Sequence, residues 1–557
     1  MKSVKNIIKF LPATALVAVG LNSCSLDVEP KTETNTGSFY RTEAQMMSAL
    51  NGCYSAWERT SSDDTWGFYI VSELMADECL AGTGVSDKAD YAVVDRFDIN
   101  QYSAGTSLLD TSWNAYYRCI YRCNEVIGRE EQVEWSNEAT RNTLIGEAHA
   151  LRALCYFDMV RMWENVPLLL EATENVNVPQ AAPDETYEAI ISDLKFAAAN
   201  IPADAYPKAN MMSNEGHITR YAAEGMLARV YLFYTGYYGH EHPSLTKAEA
   251  VGYLDEIIRS NEYELLDNFA DLWPAASSVS LPDAHEWDPS LTTYQKTNRE
   301  VLLQMQFNYV SEPYNDNTPD DKNGNRWLTM LGLRKINASP YAYGWGCCTV
   351  NPRTFRAFDE TDPRRTASII DMDGEGILSK PGIDSREYLR DQKEYTGYAV
   401  KKYTPTCYAD GTSSVPDHAT TSAVQEYQTQ PFIILRYSDV LLMAAELGGT
   451  PALDAKGCLD KVRFRAGLPG IPATYENIMS ERQSEFAFEA IRYWDLLRRG
   501  VDYAANTIAE NTTVLTGGSQ VQYSVSAQNI IAKRGLMQIP QNQITLSNGV
   551  LKQNPGW

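Results

Sequence analysis

Two short segments concentrate the side chains best suited to holding a polar, ring-shaped ligand. Asn323-Gly-Asn-Arg-Trp327 sets an indole beside amide and guanidinium groups in a glycine-containing loop. Pro340-Tyr-Ala-Tyr-Gly-Trp-Gly-Cys-Cys348 carries three aromatic rings among glycines, where a stable helix is not expected. Alternation along an extended segment would turn Tyr341, Tyr343 and Trp345 to one side and make an aromatic platform. Such rings pack on the C–H-rich face of a sugar. Asn325 and Arg326 beside them would meet hydroxyls that weaken binding if left unpaired. The plainer alternative is that these rings anchor a long loop to the core. Trp66, Tyr69, Tyr91 and Tyr102, in loops ahead of a helix at Trp113, are further candidates; Trp273, Trp287 and Tyr314 are weaker ones.

The elements that must position these residues are mainly helical. Met46, Leu50, Cys53, Tyr54 and Trp57 recur at three- and four-residue steps from near Thr42. The same spacing links Trp113, Tyr116, Tyr117, Ile120 and Asn124, and then Leu144, Ala148, Leu151, Cys155 and Met159. Further helices are expected near Thr186, Thr219, Lys247, Ser438, Ala455 and Glu476, with Pro167, Pro183, Pro202 and Pro243 as punctuation. From about Asn261 to Gln430 helix signals fade, and Pro, Gly, Asn and Asp become frequent. Glu300–Phe307 reads as a strand and Lys401–Tyr403 as part of another. So long an irregular stretch usually carries function.

Other chemistries find little support. The formal charge of −24 disfavours nucleic acid, whose phosphates need Lys and Arg. Six histidines form no metal or catalytic constellation. Asp371-Met-Asp-Gly-Glu-Gly376 imitates the start of a calcium loop, but Gly382 stands where a bidentate Glu is required. Asp316, Asp320, Asp321 and Asn323 fit no ligand spacing, so no metal and no cofactor is assigned. Ten cysteines read mostly as small buried hydrophobes, and Cys347-Cys348 is a candidate vicinal disulfide. Tyrosine (34) and tryptophan (11) are plentiful enough for sugar stacking, although helical cores use them too.

The start reads as an export leader. Lys2, Lys5 and Lys9 precede an apolar run from Phe10 to Leu21 that is too short to span a bilayer. Leu21-Asn22-Ser23-Cys24 then offers a cleavage site with Cys24 as the lipidated residue, whose acyl chains would tether the protein to a membrane. Ser25-Leu26-Asp27-Val28-Glu29 begins a polar tether. At the other end, a terminal Trp557 after Pro555 and Gly556 points to a docked tail.

Six blocks, in order, carry a family resemblance. They are Phe39-Tyr-Arg-Thr-Glu-Ala-Gln45 with Gly52-Cys-Tyr54, the Trp113–Asn124 helix, and Glu147–Phe157 with Pro167-Leu168. Leu435–Glu446 and Val462–Leu468 follow, and then Glu481–Arg498 with its E-R…E…E-x-x-R…D-L-x-R pattern. Together with the closing Gly535–Trp557 stretch they resemble the SusD/RagB family of surface nutrient-binding lipoproteins of Bacteroidota. One departure is Ala490, where the family usually has glycine.

The resemblance implies a mainly α, SusD-like fold: tetratricopeptide-type helical hairpins plus a long loop-rich region with minor strands. It divides the chain into a signal peptide (1–23), a tether (24–37), a helical-hairpin part (38–260), a loop-rich ligand-binding part (261–430), and C-terminal helices with a docked tail (431–557). It implies a non-enzymatic oligosaccharide-binding protein at the outer-membrane surface, anchored through Cys24 and serving a SusC-like TonB-dependent transporter. A peptide-binding RagB-like role is the alternative. A glycoside hydrolase is a more distant one, since it needs two carboxylates about 5–10 Å apart across a cleft.

Overall fold

The computed structural model describes residues 39–62, 67–87, 90–101, 109–173, 177–208, 216–277, 293–295, 297–307, 324–408, 411 and 428–557. The leader, Cys24 and the tether lie outside the described residues. Residues Tyr40–Trp557 make one compact unit.

Helices form where apolar spacing and capping chemistry coincide. The first eight are α1 (Glu43–Ser62), α2 (Phe68–Met75), α3 (Asp90–Arg96), α4 (Asp110–Gly128), α5 (Glu138–Trp163), α6 (Pro183–Asn200), α7 (Arg220–Tyr238) and α8 (Lys247–Ser260). Their starts are marked by local groups that satisfy the first free N–H groups. Asn137 accepts from the Thr140 N–H at 2.8 Å, and Thr219 accepts from Ala222. Thr246 and Glu249 make a reciprocal capping box, and Pro183 occupies the first turn of α6. α1 packs on α4, α4 on α5, α5 on α6, α6 on α7 and α7 on α8. Small residues set the closest approaches: a β-carbon on Gly236 of α7 would lie 2.5 Å from the carbonyl oxygen of Arg498.

The C-terminal part supplies α9 (Tyr437–Glu446), α10 (Ala455–Arg465), α11 (Tyr475–Phe486) and α12 (Arg492–Leu497). Apolar spacing through Ala487, Ile491, Trp494 and Leu497 would suit one continuous helix, but two short ones form. The chain breaks after Phe486, with Phe488 and Ala490 in the left-handed region at φ 63° and 59°. The break lets the Phe488 N–H donate to Glu78 and the Ala490 N–H to Glu73, both buried carboxyls. It also supplies the physical reason why glycine suits position 490.

The acid–base residues of this region build a buried ionic network. Arg364 binds Asp362, Glu481 and Glu485; Arg436 binds Glu300, Glu485 and Glu489. Arg465 joins Glu300 to Glu485, Lys402 holds Glu489 and Arg463 holds Glu481. Among the described residues these five cations face five carboxylates, so the network is neutral. Arg482 pairs with Asp439 and Asp495 rather than with Glu485 on its own helix. Pairs of this kind hold elements together that lie far apart in sequence.

The described strands form five two-stranded sheets. β1 (Cys79–Gly82) pairs antiparallel with β5 (Cys347–Val350), β2 (Val301–Met305) with β8 (Phe432–Arg436), and β6 (Ile369–Asp371) with β7 (Tyr398–Val400). β3 (Leu333–Arg334) and β4 (Tyr343–Gly344) are parallel. Lys401–Tyr403 lies just past the end of β7 and not within a strand. β9 (Glu510–Thr516) and β10 (Ser519–Val525) make a hairpin around Gly517-Gly518, both with positive φ.

The tail docks. The Trp557 indole N–H donates to Leu536 O at 2.9 Å, and Asn554 donates to Trp163 O and Met537 O. Trp163 returns a bond to Gln538 O.

Candidate functional site

The two aromatic segments are neighbours, joined by a close backbone crossing. Asn325 is buried and acts as a helix cap: its Oδ1 accepts from the Trp327 N–H at 3.0 Å and its Nδ2 donates to Gln430 O at 2.7 Å. The short helix that follows, Arg326–Leu331, ends at Gly332 against the backbone of Gly344. A β-carbon at Gly344 would sit 2.4 Å from Gly332 Cα and 2.5 Å from Thr329 O, so only glycine permits the crossing. The Trp345 N–H then donates to Thr329 O at 2.8 Å.

This crossing separates the candidate rings into two sets. Trp327 points inward, only 4% exposed, with its ring edge-on to Tyr403 and Phe432 at 6.1 and 5.4 Å. Tyr341 is also buried. Its hydroxyl donates to Glu375 at 2.6 Å, and Lys401 lies 5.3 Å from the ring centre. The stretch is not one extended strand, because Tyr341 sits in a turn closed by mutual backbone bonds with Ala338. Three rings on one side therefore do not occur, and Trp327 and Tyr341 serve the core. Tyr69 and Trp273 are core residues as well.

Tyr343 and Trp345 remain at the surface, each half-buried. Arg326 lies 5.6 Å from the centre of the Trp345 ring and fixes its inner face by a cation–π contact. Asn337 holds the Tyr343 backbone, accepting its N–H at 2.7 Å. Arg334 donates to Trp345 O, to Asp87 at 2.9 Å and to Asp391 at 3.0 Å. Burial opposes ionisation of Asp391, but Lys335 and Arg334 outweigh it and hold its carboxyl below the usual range. Asp87 is 35% exposed, so a carboxylate acceptor lies beside the Trp345 backbone. Tyr91 lies on α3; burial first, then Cys347 and Asp90, push its hydroxyl up. The Asp87–Arg334–Asp391 clamp had no signal in the sequence, because its members are 57 and 247 residues apart. Trp66, Tyr102, Trp287 and Tyr314 lie outside the described residues.

Cys347 and Cys348 are unlinked thiols, their sulfurs 4.0 Å apart and Cys348 at φ 56°. The calcium-like loop spends its carboxylates internally. Asp371 accepts from the Gly374 N–H at 2.8 Å, and Glu375 binds Tyr341 and Lys401. Asp316, Asp320, Asp321 and Asn323 lie outside the described residues.

Comparison with known proteins places this architecture. The family model described as "SusD family" matches residues 299–557, and the one described as "Starch-binding associating with outer membrane" matches residues 26–232. The chain belongs to the SusD/RagB family. A SusD-like protein, P38, of Formosa agariphila is 23% identical over 541 residues, covering 89% of this chain and 92% of its own. A SusD-like protein of Bacteroides ovatus is 24% identical, covering 88% and 82%. Among solved structures, a laminarin-binding SusD-like protein is 25% identical with a TM-score of 0.69, covering 93% of this chain and all of its own. Surface glycan-binding protein A from Bacteroides fluxus, with the same identity and coverage, has a TM-score of 0.73. That from Bacteroides thetaiotaomicron in complex with laminarihexaose is 22% identical, covers 92% of this chain and 99% of its own, and has a TM-score of 0.71.

Proposed function

We propose that this SusD/RagB-family protein captures oligosaccharides at the outer-membrane surface, tethered by lipid on Cys24, and passes them to a SusC-like TonB-dependent transporter. The observation that carries the reading is the half-buried Trp345 ring, backed by Arg326, with half-buried Tyr343 two residues before it and the Asp87 carboxylate beside its backbone. An indole held in one orientation presents a preorganised apolar face, so little entropy is lost when a sugar ring settles on it. Asp87 supplies the acceptor that ring hydroxyls need. The glycan-binding names of the structural relatives agree with this chemistry.

The test is an affinity-gel and glycan-array screen of residues 25–557 beside a Tyr343→Ala/Trp345→Ala variant, with circular dichroism as the folding control. Retention by one glycan class, weakened about tenfold or more in the folded variant, supports the reading. Retention of peptides and of no glycan refutes it in favour of the peptide-binding alternative.

A further inference from the structure

A second concavity lies well away from Trp345 in sequence, where α4 meets the docked tail. It has a volume of about 500 Å³, within the range of pockets that hold small organic ligands. Its floor and wall are an aromatic ladder: Trp113, Tyr117 and Tyr121 recur every four residues of α4 and so share one face. The steps climb outward, from Trp113 at 4% exposure through half-buried Tyr117 to Tyr121 at 48%. Each step advances about 6 Å along the helix, comparable with the length of one sugar ring. Leu546, 74% exposed on the short helix Gln541–Leu546, forms the opposite lip.

The pocket is held open by bonds that do not depend on a ligand. The Tyr117 hydroxyl donates to Pro167 O at 2.8 Å, and Asn124 donates to Leu169 O at 3.0 Å. Gln543 donates to Asp110 at 2.8 Å and to the Asn114 carbonyl at 3.1 Å, locking the tail to α4. With its oxygen engaged, Asn114 keeps an NH₂ group to donate, and Glu171 offers carboxylate acceptors at the rim. A purely apolar ligand would strip water from these rim groups without replacing it. The described lining includes Glu171 and no Lys or Arg, so it offers an anionic ligand no cationic partner.

The geometry points to a second saccharide-binding groove, on the Trp113–Tyr117–Tyr121 ladder, for a neutral oligosaccharide. The inference rests on the reading that this chain captures saccharides, but it concerns a separate surface. Hydrogen–deuterium exchange on residues 25–557, with laminarihexaose, cellohexaose and hexagalacturonate as probes, tests both surfaces at once. The expected result is protection of residues 110–124 and 541–551 by a neutral hexasaccharide and not by the uronide. Tyr121→Ala and Gln543→Ala should each weaken that protection about fivefold, while Tyr343→Ala/Trp345→Ala leaves it intact. Tyr121 and Gln543 are both accessible to solvent, so these variants test the groove without emptying the core. Protection confined to residues 326–347 overturns the groove and keeps the primary site. Protection confined to 110–124 and 541–551 keeps the groove and refutes the primary site. No protection by either neutral probe, or equal protection by the uronide, overturns the groove.

Discussion

Replacing Glu485 by Gln should unfold this protein more readily than almost any surface change. Glu485 is fully buried; one carboxylate oxygen receives Arg436 and Arg465, and the other receives Arg364 at 2.8 Å. The substitution changes volume little but leaves the five cations of the network facing four carboxylates, and turns an amide NH₂ towards a guanidinium. Removing one partner from a buried ionic cluster costs about 3–5 kcal/mol, because the remaining charge stays desolvated. Urea unfolding followed by tryptophan fluorescence is the assay, urea being uncharged and so leaving the ion pairs unscreened. Glu485→Gln/Arg465→Met restores the balance and should recover at least half of the loss.

The same carboxylate sets a pH dependence. Burial opposes its ionisation, but Arg465, Arg436 and Arg364 outweigh it and hold its pKa well below 4.5. A depressed carboxylate contributes stability that is complete above the unfolded value of 4.5 and is lost as pH falls through the folded one. The wild type should therefore lose stability below pH 4.5 more steeply than the Gln variant. A variant within about 1 kcal/mol of wild type at pH 7 would refute the reasoning, for the network would then contribute no more than an exposed pair.

Three further outcomes follow from the packing. Burial alone would raise Asp439, yet Arg482 and Arg229 hold it at about 2 against an ordinary 3.8. Its contribution, about 2 kcal/mol, is complete above pH 3.8 and disappears towards pH 2, so Asp439→Asn should flatten the urea midpoint across that window; a curve parallel to wild type counts against the assignment. Gly236→Ala drives a methyl into the Arg498 carbonyl and should cost about 1–3 kcal/mol, read as a lower melting temperature; an unchanged melt would show that the helices can part without cost. Trp327→Ala should cost about 3–5 kcal/mol of stability and Trp345→Ala under about 1, with the ranking reversed for glycan retention. Equal effects of the two on binding would contradict the division between core and surface rings.

How much was legible depended on how local the cause was. Starts near Thr219 and Lys247 could be read because cap and helix lie within four residues of each other. The β9–β10 hairpin was equally local, with Gly517-Gly518 between β-prone runs, yet it was not among the expectations. The break at Ala487–Ile491 was hidden because apolar spacing continues through it; only Ala490, where the resemblance leads one to expect glycine, marked a left-handed backbone. The ring sets were the least legible. Trp327 and Trp345 look alike in sequence, and what divides them is the backbone crossing at Gly332 and Gly344, a contact between residues twelve apart. The ionic network shows the same limit, since the acids and bases are plain in sequence but their pairing spans up to 165 residues.

The docked tail also bears on how the chain acquires its fold. Trp163 closes its indole N–H bond on Gln538, 375 residues further on, and Asn554 caps the Trp163 carbonyl. A chain ordered only through α1 to α8 is thus a helical stack in which the indole N–H and carbonyl of Trp163 still wait for partners. Contacts of such sequence separation form late, because so much intervening chain must first be ordered. Chains truncated before residue 537 should expose this unfinished edge to proteases, with residues 537–554 acting as the latch that closes it.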